Sequence, residues 1–277
     1  MARRTLDSAR IIITGASSGI GLALAKQLGQ QGAQLLVTAR REDRLRQLSD
    51  TISKAGKAKR PVIVAGDITD FKVQEHVIET AQRDMGGLDI LVNNAGLGAL
   101  GPFSEATPER LRRVLDVNFI APVELTRKAI PMLRQGNNAL IVNVGSVLGH
   151  RAVPGKSEYC ASKFALHGFS DALRCELASQ KIDVLLVSPS TTSSEFFDQV
   201  IKTPSSAKPR LHNAMSPEKV ARRTMRAIER GQHELILSTG GKLLVDRPTL
   251  PAFGEPTSCP FRLNTILRPK QKKRPPA

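Results

Sequence analysis

Ile11-Ile-Ile-Thr14-Gly15-Ala-Ser17-Ser18-Gly19-Ile20-Gly21 runs a short apolar stretch straight into a glycine-spaced turn, and a helical pattern follows. Strands buried on both faces of a parallel sheet read as unbroken β-branched runs, and Ile11–Ile13 is such a run. The glycines let the chain turn sharply and bring backbone N–H groups to a helix N-terminus, where an anion such as a pyrophosphate is held. Ser17 and Ser18 add hydroxyl donors. The spacing is T-G-x-x-x-G-x-G rather than the G-x-G-x-x-G of the general dinucleotide fingerprint, which on its own is a weak signal.

Working outward, the strand-then-helix alternation recurs. Leu35–Val37, Val62–Ala65, Ile90–Val92, Leu140–Val144, Val184–Val187 and Leu235–Leu237 join Ile11–Ile13 as strand candidates, with longer helical patterns between them. Seven strands alternating with helices predict an α/β fold: one Rossmann-like, doubly wound domain with a parallel sheet and helices on both faces. Crossovers in such a sheet are right-handed, and ligands bind beyond the carboxyl ends of the strands. Thr107-Pro108-Glu109 and Ser216-Pro217-Glu218 each set a cap residue, a first-turn proline and an acid in helix-starting order. Gly32 and Gly231 read as C-terminal caps.

The chain has 277 residues and no internal linker rich in Gly, Ser or Pro before its C-terminal end, so one large domain over residues 1–245 is expected. From Asp246 prolines recur without periodicity, and 246–277 reads as an irregular, basic, mobile tail. Aromatic residues make up 4% and Trp is absent, which leaves the core to Ile, Leu, Val and Ala. A formal charge of +16, with Arg3, Arg4 and Arg10 at one end and Arg262, Arg268, Lys270, Lys272, Lys273 and Arg274 at the other, permits contact with nucleic acid or an anionic membrane. A solvated tail explains the same excess and is preferred. Cys160, Cys175 and Cys259 are odd in number and lack metal-ligand spacing, so no metal site is read and a cytoplasmic, reducing location is expected. No apolar run is long enough to span a bilayer.

The chain's one tyrosine, Tyr159, stands four residues before Lys163. On a helix these positions share a face. A phenol ionises near pH 10 in water, and a neighbouring ammonium favours its anion, so Lys163 is expected to lower the Tyr159 pKa. Taken with the glycine loop, Asn93-Asn94-Ala95-Gly96 after the fourth strand and Ser146 after the fifth, this pair makes residues 5–240 resemble the short-chain dehydrogenase/reductase family, single-domain type.

That resemblance implies an oxidoreductase moving a hydride between a nicotinamide cofactor and a carbonyl or alcohol. Tyr159 becomes the general acid/base, Ser146 the group orienting the substrate oxygen, and Lys163 the holder of the nicotinamide ribose. Asn118 matches the fourth member of the catalytic tetrad, whose main chain positions a water. Pro122 supplies a reason, because a proline leaves the carbonyl four residues earlier without its helical donor. Gly15, Ser17, Ser18, Gly19, Ile20 and Gly21 would hold the pyrophosphate. Asp67 and Ile68 would border the adenine, although Asp67 reads equally as a helix cap. Asn94, Ala95 and Gly96 would hold the middle of the cofactor, with Asn94 more structural than contacting. Pro189 and Thr192 would meet the nicotinamide. Ser190 stands where the family usually has glycine, which restricts the backbone there.

The second strand ends at Thr38-Ala39-Arg40-Arg41, where an NAD-selective enzyme carries an acid. Arg40 and Arg41 instead suit a 2′-phosphate, each charge-assisted contact being worth about 1.5–3 kcal/mol, so NADP is expected ahead of NAD. The alternative is that both arginines merely open a charged helix and Glu42 reaches the ribose. Leu97, Leu100, Phe103, Leu148, Val153, Phe196 and Phe197 suggest an apolar substrate. His150 and Arg151 are placed near it, while Cys160 and His167 are read as helix packing. The family implies a homodimer or homotetramer on the helices of residues 111–133 and 164–177. A different class of function remains open: a non-catalytic nicotinamide-sensing protein contacting nucleic acid through the basic tail. The intact tetrad argues against it.

Overall fold

The computed structural model describes residues 4–206 and 214–237. In chain order the elements are β1 (Arg10–Thr14), α1 (Gly19–Gln30), β2 (Gln34–Ala39), α2 (Glu42–Lys54), β3 (Val62–Ala65), α3 (Phe71–Met85), β4 (Ile90–Asn93), β5 (Ala99–Leu100), α4 (Pro108–Leu115), α5 (Ala121–Leu133), β6 (Leu140–Val144), α6 (Ser157–Leu177), β7 (Asp183–Ser188), β8 (Ile201–Lys202), α7 (Pro217–Glu229) and β9 (Glu234–Ile236). All seven strand candidates are strands of one sheet in the order β3-β2-β1-β4-β6-β7-β9, every pairing parallel. The chain winds outward from β1 in one direction and then restarts at β4 in the other. A crevice therefore opens between β1 and β4 at the carboxyl edge.

The period-two alternation of the strands divides the core into two layers. Ile11, Ile13, Leu35 and Val37 face α1, α2 and α7, whose Leu24, Leu28, Leu45, Leu48 and Val220 complete one cluster. Ile12, Leu36, Leu91, Ile141 and Val184 face the other way, onto Val77 of α3, Leu125 and Leu133 of α5 and Leu173 of α6. No aromatic side chain is among the buried hydrophobics of either layer, as composition foretold.

Both proline-marked helix starts form as read: Thr107 Oγ1 accepts from the Arg110 N–H and Ser216 Oγ from the Lys219 N–H. Gly32 (φ 92°) and Gly231 (φ 64°) take the left-handed turn after α1 and α7. Between α4 and α5 the helix widens into a π-turn over Asp116–Ile120, and the Ala121 N–H reaches back to the Asp116 carbonyl. Pro122, which cannot donate, follows immediately, and single π-turns of this kind recur at functional sites. A second, two-stranded sheet pairs β5 with β8. Sequence periodicity could not reveal strands of two residues. Residues 246–277 lie outside the described residues.

Candidate active site

The glycine loop closes on the turn after β4. Thr14 Oγ1 accepts the N–H groups of Asn94 and Ala95, each at 3.0 Å, and Asn94 Nδ2 donates to the carbonyls of Thr14 (2.9 Å) and Gly15 (3.2 Å). This contact is so close that a Cβ on Gly21 would lie 2.4 Å from Asn94 Nδ2, and one on Gly15 (φ +67°) 2.8 Å from Ala95 Cα. Gly15 and Gly21 thus serve the packing of loop on turn. Gly19 (φ +55°) faces the cleft against Ser194. Ser18 precedes α1 without a side-chain cap, which leaves the first-turn N–H groups directed at whatever enters.

A cleft of about 760 Å³ runs along this edge. It is lined by Gly15, Ser17, Ser18, Gly19 and Ile20 from the loop, Arg40 and Arg41 after β2, Asp67 and Ile68 after β3, Asn94, Ala95 and Gly96 after β4, then Ser146, Tyr159, Lys163, Pro189 and Thr192. Of the residues singled out in the sequence for cofactor or catalysis, Gly21 and Asn118 stand behind the lining. An elongated cleft with basic side chains at one end, uncapped helix N–H groups at its middle and a phenol at the other fits a dinucleotide.

At the far end Ser146, Tyr159 and Lys163 converge. Tyr159 hydrogen-bonds the Ser146 side chain, and Ser146 Oγ accepts the Leu148 N–H at 3.1 Å, which fixes the short turn Val147–Gly149. Lys163 is 4% exposed. Its Nζ donates to the Val144 carbonyl at 2.9 Å and sits 5.9 Å from the centre of the Tyr159 ring. Asn118 braces the group from behind: its Oδ1 accepts the Leu97 N–H (2.8 Å), and its Nδ2 donates to the Leu97 carbonyl (2.8 Å) and to Ser162 Oγ (2.9 Å). The side chain therefore clamps the turn after β4 to α6, leaving only the main chain for any relay.

Electrostatics correct one expectation. Lys163 is expected to acidify Tyr159, yet burial pushes the phenol up to about 12 against the opposing hydrogen bond to Ser146. Burial also brings Lys163 down to about 8. For both groups the loss of water around the charged form is the leading cause. Tyr159 is accordingly a protonated donor at neutral pH.

Other residues depart from the sequence reading. His150 does not face the substrate end. Its ring lies 4.2 Å from that of His167, centre to centre, and Nε2 is 2.8 Å from Ser188 Oγ, behind the turn that carries Ser146. Leu100 pairs in β5 and Phe103 is 63% exposed, so neither lines the cleft, whereas Leu97, Leu148, Val153, Phe196 and Phe197 do. Ser190 adopts no left-handed φ and carries no strain for replacing a glycine. Asp67 is both turn former and lining residue, accepting from Thr69 and from Arg113. Burial works to raise its carboxyl, but these hydrogen bonds hold it below the usual range.

Four participants have no individual role in the sequence reading, although residues 148–158 and 193–211 are expected there as pocket walls. Arg113 lines the cleft beside Asp67. Glu195 binds Arg41 at 2.8 Å, and Arg41 also donates to Ser17 Oγ at 3.2 Å. Glu158, next to Tyr159, pairs with Arg110 of α4 inside the protein, both side chains being at most 5% exposed. Lys156 lines the substrate end, its ammonium disfavoured by burial. None belongs to a local spacing pattern.

The model of the family described as short chain dehydrogenase matches residues 9–205. The chain belongs to the short-chain dehydrogenase family. Within that family it is 31% identical to the uncharacterized oxidoreductase YxnA of Bacillus subtilis over 241 residues, 84% of this chain and 66% of that protein's length. The structure of a short chain dehydrogenase from Burkholderia cenocepacia in complex with NADP superposes with a TM-score of 0.75 at 27% identity, covering 86% of this chain and all of that one. A second, from Burkholderia phymatum in complex with NAD, shares the fold at 24% identity with a TM-score of 0.76, over 84% of this chain and 89% of its own. As a short-chain dehydrogenase the protein is an oxidoreductase of the nicotinamide-dependent kind. Among its described residues no helix is long and apolar enough to cross a membrane.

Proposed function

We propose that this protein reduces a carbonyl compound to an alcohol with NADPH, Tyr159 giving the proton. The observation that carries the reading is the half-buried, protonated Tyr159 hydrogen-bonded to Ser146 beside Lys163, at the end of a cleft whose opposite end is basic. A nicotinamide cofactor, when bound, supplies the hydride.

The chain's own residues do the rest. As negative charge develops on the substrate oxygen, Ser146 donates one hydrogen bond and Tyr159 a second that becomes the transferred proton. Lys163, held by the Val144 carbonyl, stands where it can reach a ribose and repay the phenolate left behind. The π-turn around Asn118 offers main-chain carbonyls for a water leading the next proton in. In the reverse direction the phenolate takes the proton, as microscopic reversibility requires.

The preference for NADP over NAD rests on Arg40 and Arg41 at the end of β2, with no acid between Gln34 and Arg41. Arg41 is already set for an anion, because Glu195 occupies its guanidinium now. Leu97, Leu148, Val153, Phe196 and Phe197 support a substrate that is mostly apolar. Ile120 (46% exposed) and Phe164 (43% exposed), on the stretch leading into α5 and on α6, support a homodimer or homotetramer formed on those helices. Residues 1–245 form the catalytic unit in this reading.

Absorbance of the reduced nicotinamide, followed with a panel of ketones and alcohols, tests the activity. Tyr159→Phe should abolish turnover while cofactor binding, measured by calorimetry, persists. Retained turnover removes Tyr159 from its role, and higher catalytic efficiency with NADH removes the cofactor assignment.

A further inference from the structure

We propose that His150, His167 and Glu234 form a binding site for a divalent transition-metal ion of the zinc type, behind the catalytic loop and apart from the cleft. One nitrogen from each histidine and a carboxylate oxygen of Glu234 all lie within 4.8 Å of one another. Tetrahedral zinc with bonds of about 2.0–2.2 Å needs its ligands about 3.3–3.5 Å apart, so side-chain adjustments of about an ångström close the set. Three separate elements supply it. His150 ends the turn after Ser146, His167 lies on α6 four residues beyond Lys163, and Glu234 opens the edge strand β9.

The hydrogen bonds already orient the donors. His167 Nδ1 lies 3.1 Å from the Gly149 carbonyl. A carbonyl only accepts, so Nδ1 carries the proton and Nε2 of a neutral ring presents a lone pair. That Nε2 lies 3.2 Å from Asp171 Oδ2, another acceptor, and two acceptors at this distance need a cation or a second proton between them. His150 Nε2 stands 3.7 Å from Glu234 Oε1 and 2.8 Å from Ser188 Oγ, a hydroxyl that an ion at this nitrogen would displace. The His150 side chain is 6% exposed, so an ion there would be shielded from water on that side.

The surroundings resemble the outer layer of a metal site. A carbonyl on the far ring nitrogen of a ligating histidine fixes its tautomer, and Gly149 does this for His167. Arg174 Nη1 holds the second oxygen of Asp171 at 3.0 Å. Its Nε and Nη2 donate to the Val184 and His233 carbonyls. Asp171 can swing in as a fourth ligand, leaving Arg174 with the carbonyls. Imidazole–carboxylate sets suit zinc, and nickel or copper compete. An ion here would fasten the loop starting at Ser146 to the helix carrying Tyr159 and Lys163, and both to the sheet edge.

The full-length, chelator-treated protein titrated with zinc chloride by calorimetry, with magnesium chloride as control, tests this. One zinc per chain is expected, weakened at least about 10- to 100-fold in His150→Asn and in His167→Asn, with no magnesium response. Glu234→Gln, on an exposed edge and safe for folding, should weaken it too. Cobalt chloride added to the wild-type protein should give the visible absorption of a tetrahedral nitrogen–oxygen site. Absence of saturable zinc binding overturns the proposal, as does binding that both histidine variants retain, or cobalt bound without the tetrahedral spectrum.

Discussion

Replacing Lys163 with methionine should make the cofactor-free protein more stable at neutral pH while destroying its activity. The side chain is buried, and burial alone brings its pKa from the usual 10.5 to about 8. At about 1.4 kcal/mol for each tenfold change in the proton equilibrium, holding the ammonium inside costs about 3 kcal/mol at pH 7. Methionine, of similar length, removes that cost and gives up the charge-assisted hydrogen bond to the Val144 carbonyl, worth about 1.5 kcal/mol. The net gain is about 1.5 kcal/mol. The sign with pH follows from the lowered pKa: between about 8 and 10.5 the unfolded chain holds more protons than the folded one, so wild-type stability rises across that window. The penalty is complete below about 8 and gone above 10.5. Urea denaturation of wild type and variant at pH 7 and at pH 10 checks this, and the gap should shrink from about 1.5 kcal/mol to close to zero. A variant less stable than wild type at pH 7, or a gap equal at both pH values, would refute the argument that this lysine is held against its own solvation.

Further expectations concern the neighbouring groups. Glu158→Gln leaves the Arg110 guanidinium buried without its counter-charge, and should lower stability by about 3–5 kcal/mol in denaturant unfolding. A loss below about 1 kcal/mol would mean the pair is solvated. Tyr159 is the only tyrosine and Trp is absent, so phenolate absorbance near 295 nm reports one residue. In the cofactor-free protein its midpoint should fall at about 12, and a midpoint at or below 10 while circular dichroism shows a folded chain would contradict the burial argument. Arg41→Ala should raise the KM for NADPH at least about tenfold and leave that for NADH unchanged, from the loss of one charge-assisted contact. Glu195→Gln should lower the KM for NADPH by removing the carboxylate now paired with Arg41, and equal effects on both cofactors would show that Arg41 does not meet the 2′-phosphate.

What the sequence made legible follows from which forces act locally. The central strands could be read because both faces of the sheet are buried there, which writes them as largely apolar runs; Ile11–Ile13 is wholly apolar and buried, and Leu140–Val144 is buried at every position although it includes Asn143. The turn after β1 could be read because Gly15 and Gly19 sit at positive φ, where few other residues go. Ion pairs left no such trace. Arg41 and Glu195 are 154 residues apart, Arg110 and Glu158 are 48 apart, and Arg113 and Asp67 are 46 apart. On their own helices these charges look like solvated faces. His150 misled for a similar reason: four residues after Ser146 suggests nearness to substrate, but the turn Val147–Gly149 carries the ring round to His167. With Tyr159 the spacing was right and the balance of energies was not, since i,i+4 geometry says nothing about how much water surrounds the pair.

The invisible contacts also settle how the catalytic end is held. Arg110 donates both to Glu158, at the start of α6, and to the Leu100 carbonyl in β5, at 3.3 Å. The Gly101 N–H donates to the Gly155 carbonyl just ahead of α6, and the Thr203 N–H to the Leu100 carbonyl. Leu100 thus stands between the segment that delivers Tyr159 and the segment that follows Phe196 and Phe197. Phe196 closes the circuit by meeting the Tyr159 ring edge-on, with centres 6.0 Å apart. The two apolar walls and the proton donor are therefore one connected body, fastened by a buried charge pair whose rupture is costly. Within such a body a substitution in β5 or β8 displaces the phenol along with the wall. On the proposed reading, a change that alters which substrate fits would therefore also alter how well its oxygen meets Tyr159, and breaking the Arg110–Glu158 pair should disturb both.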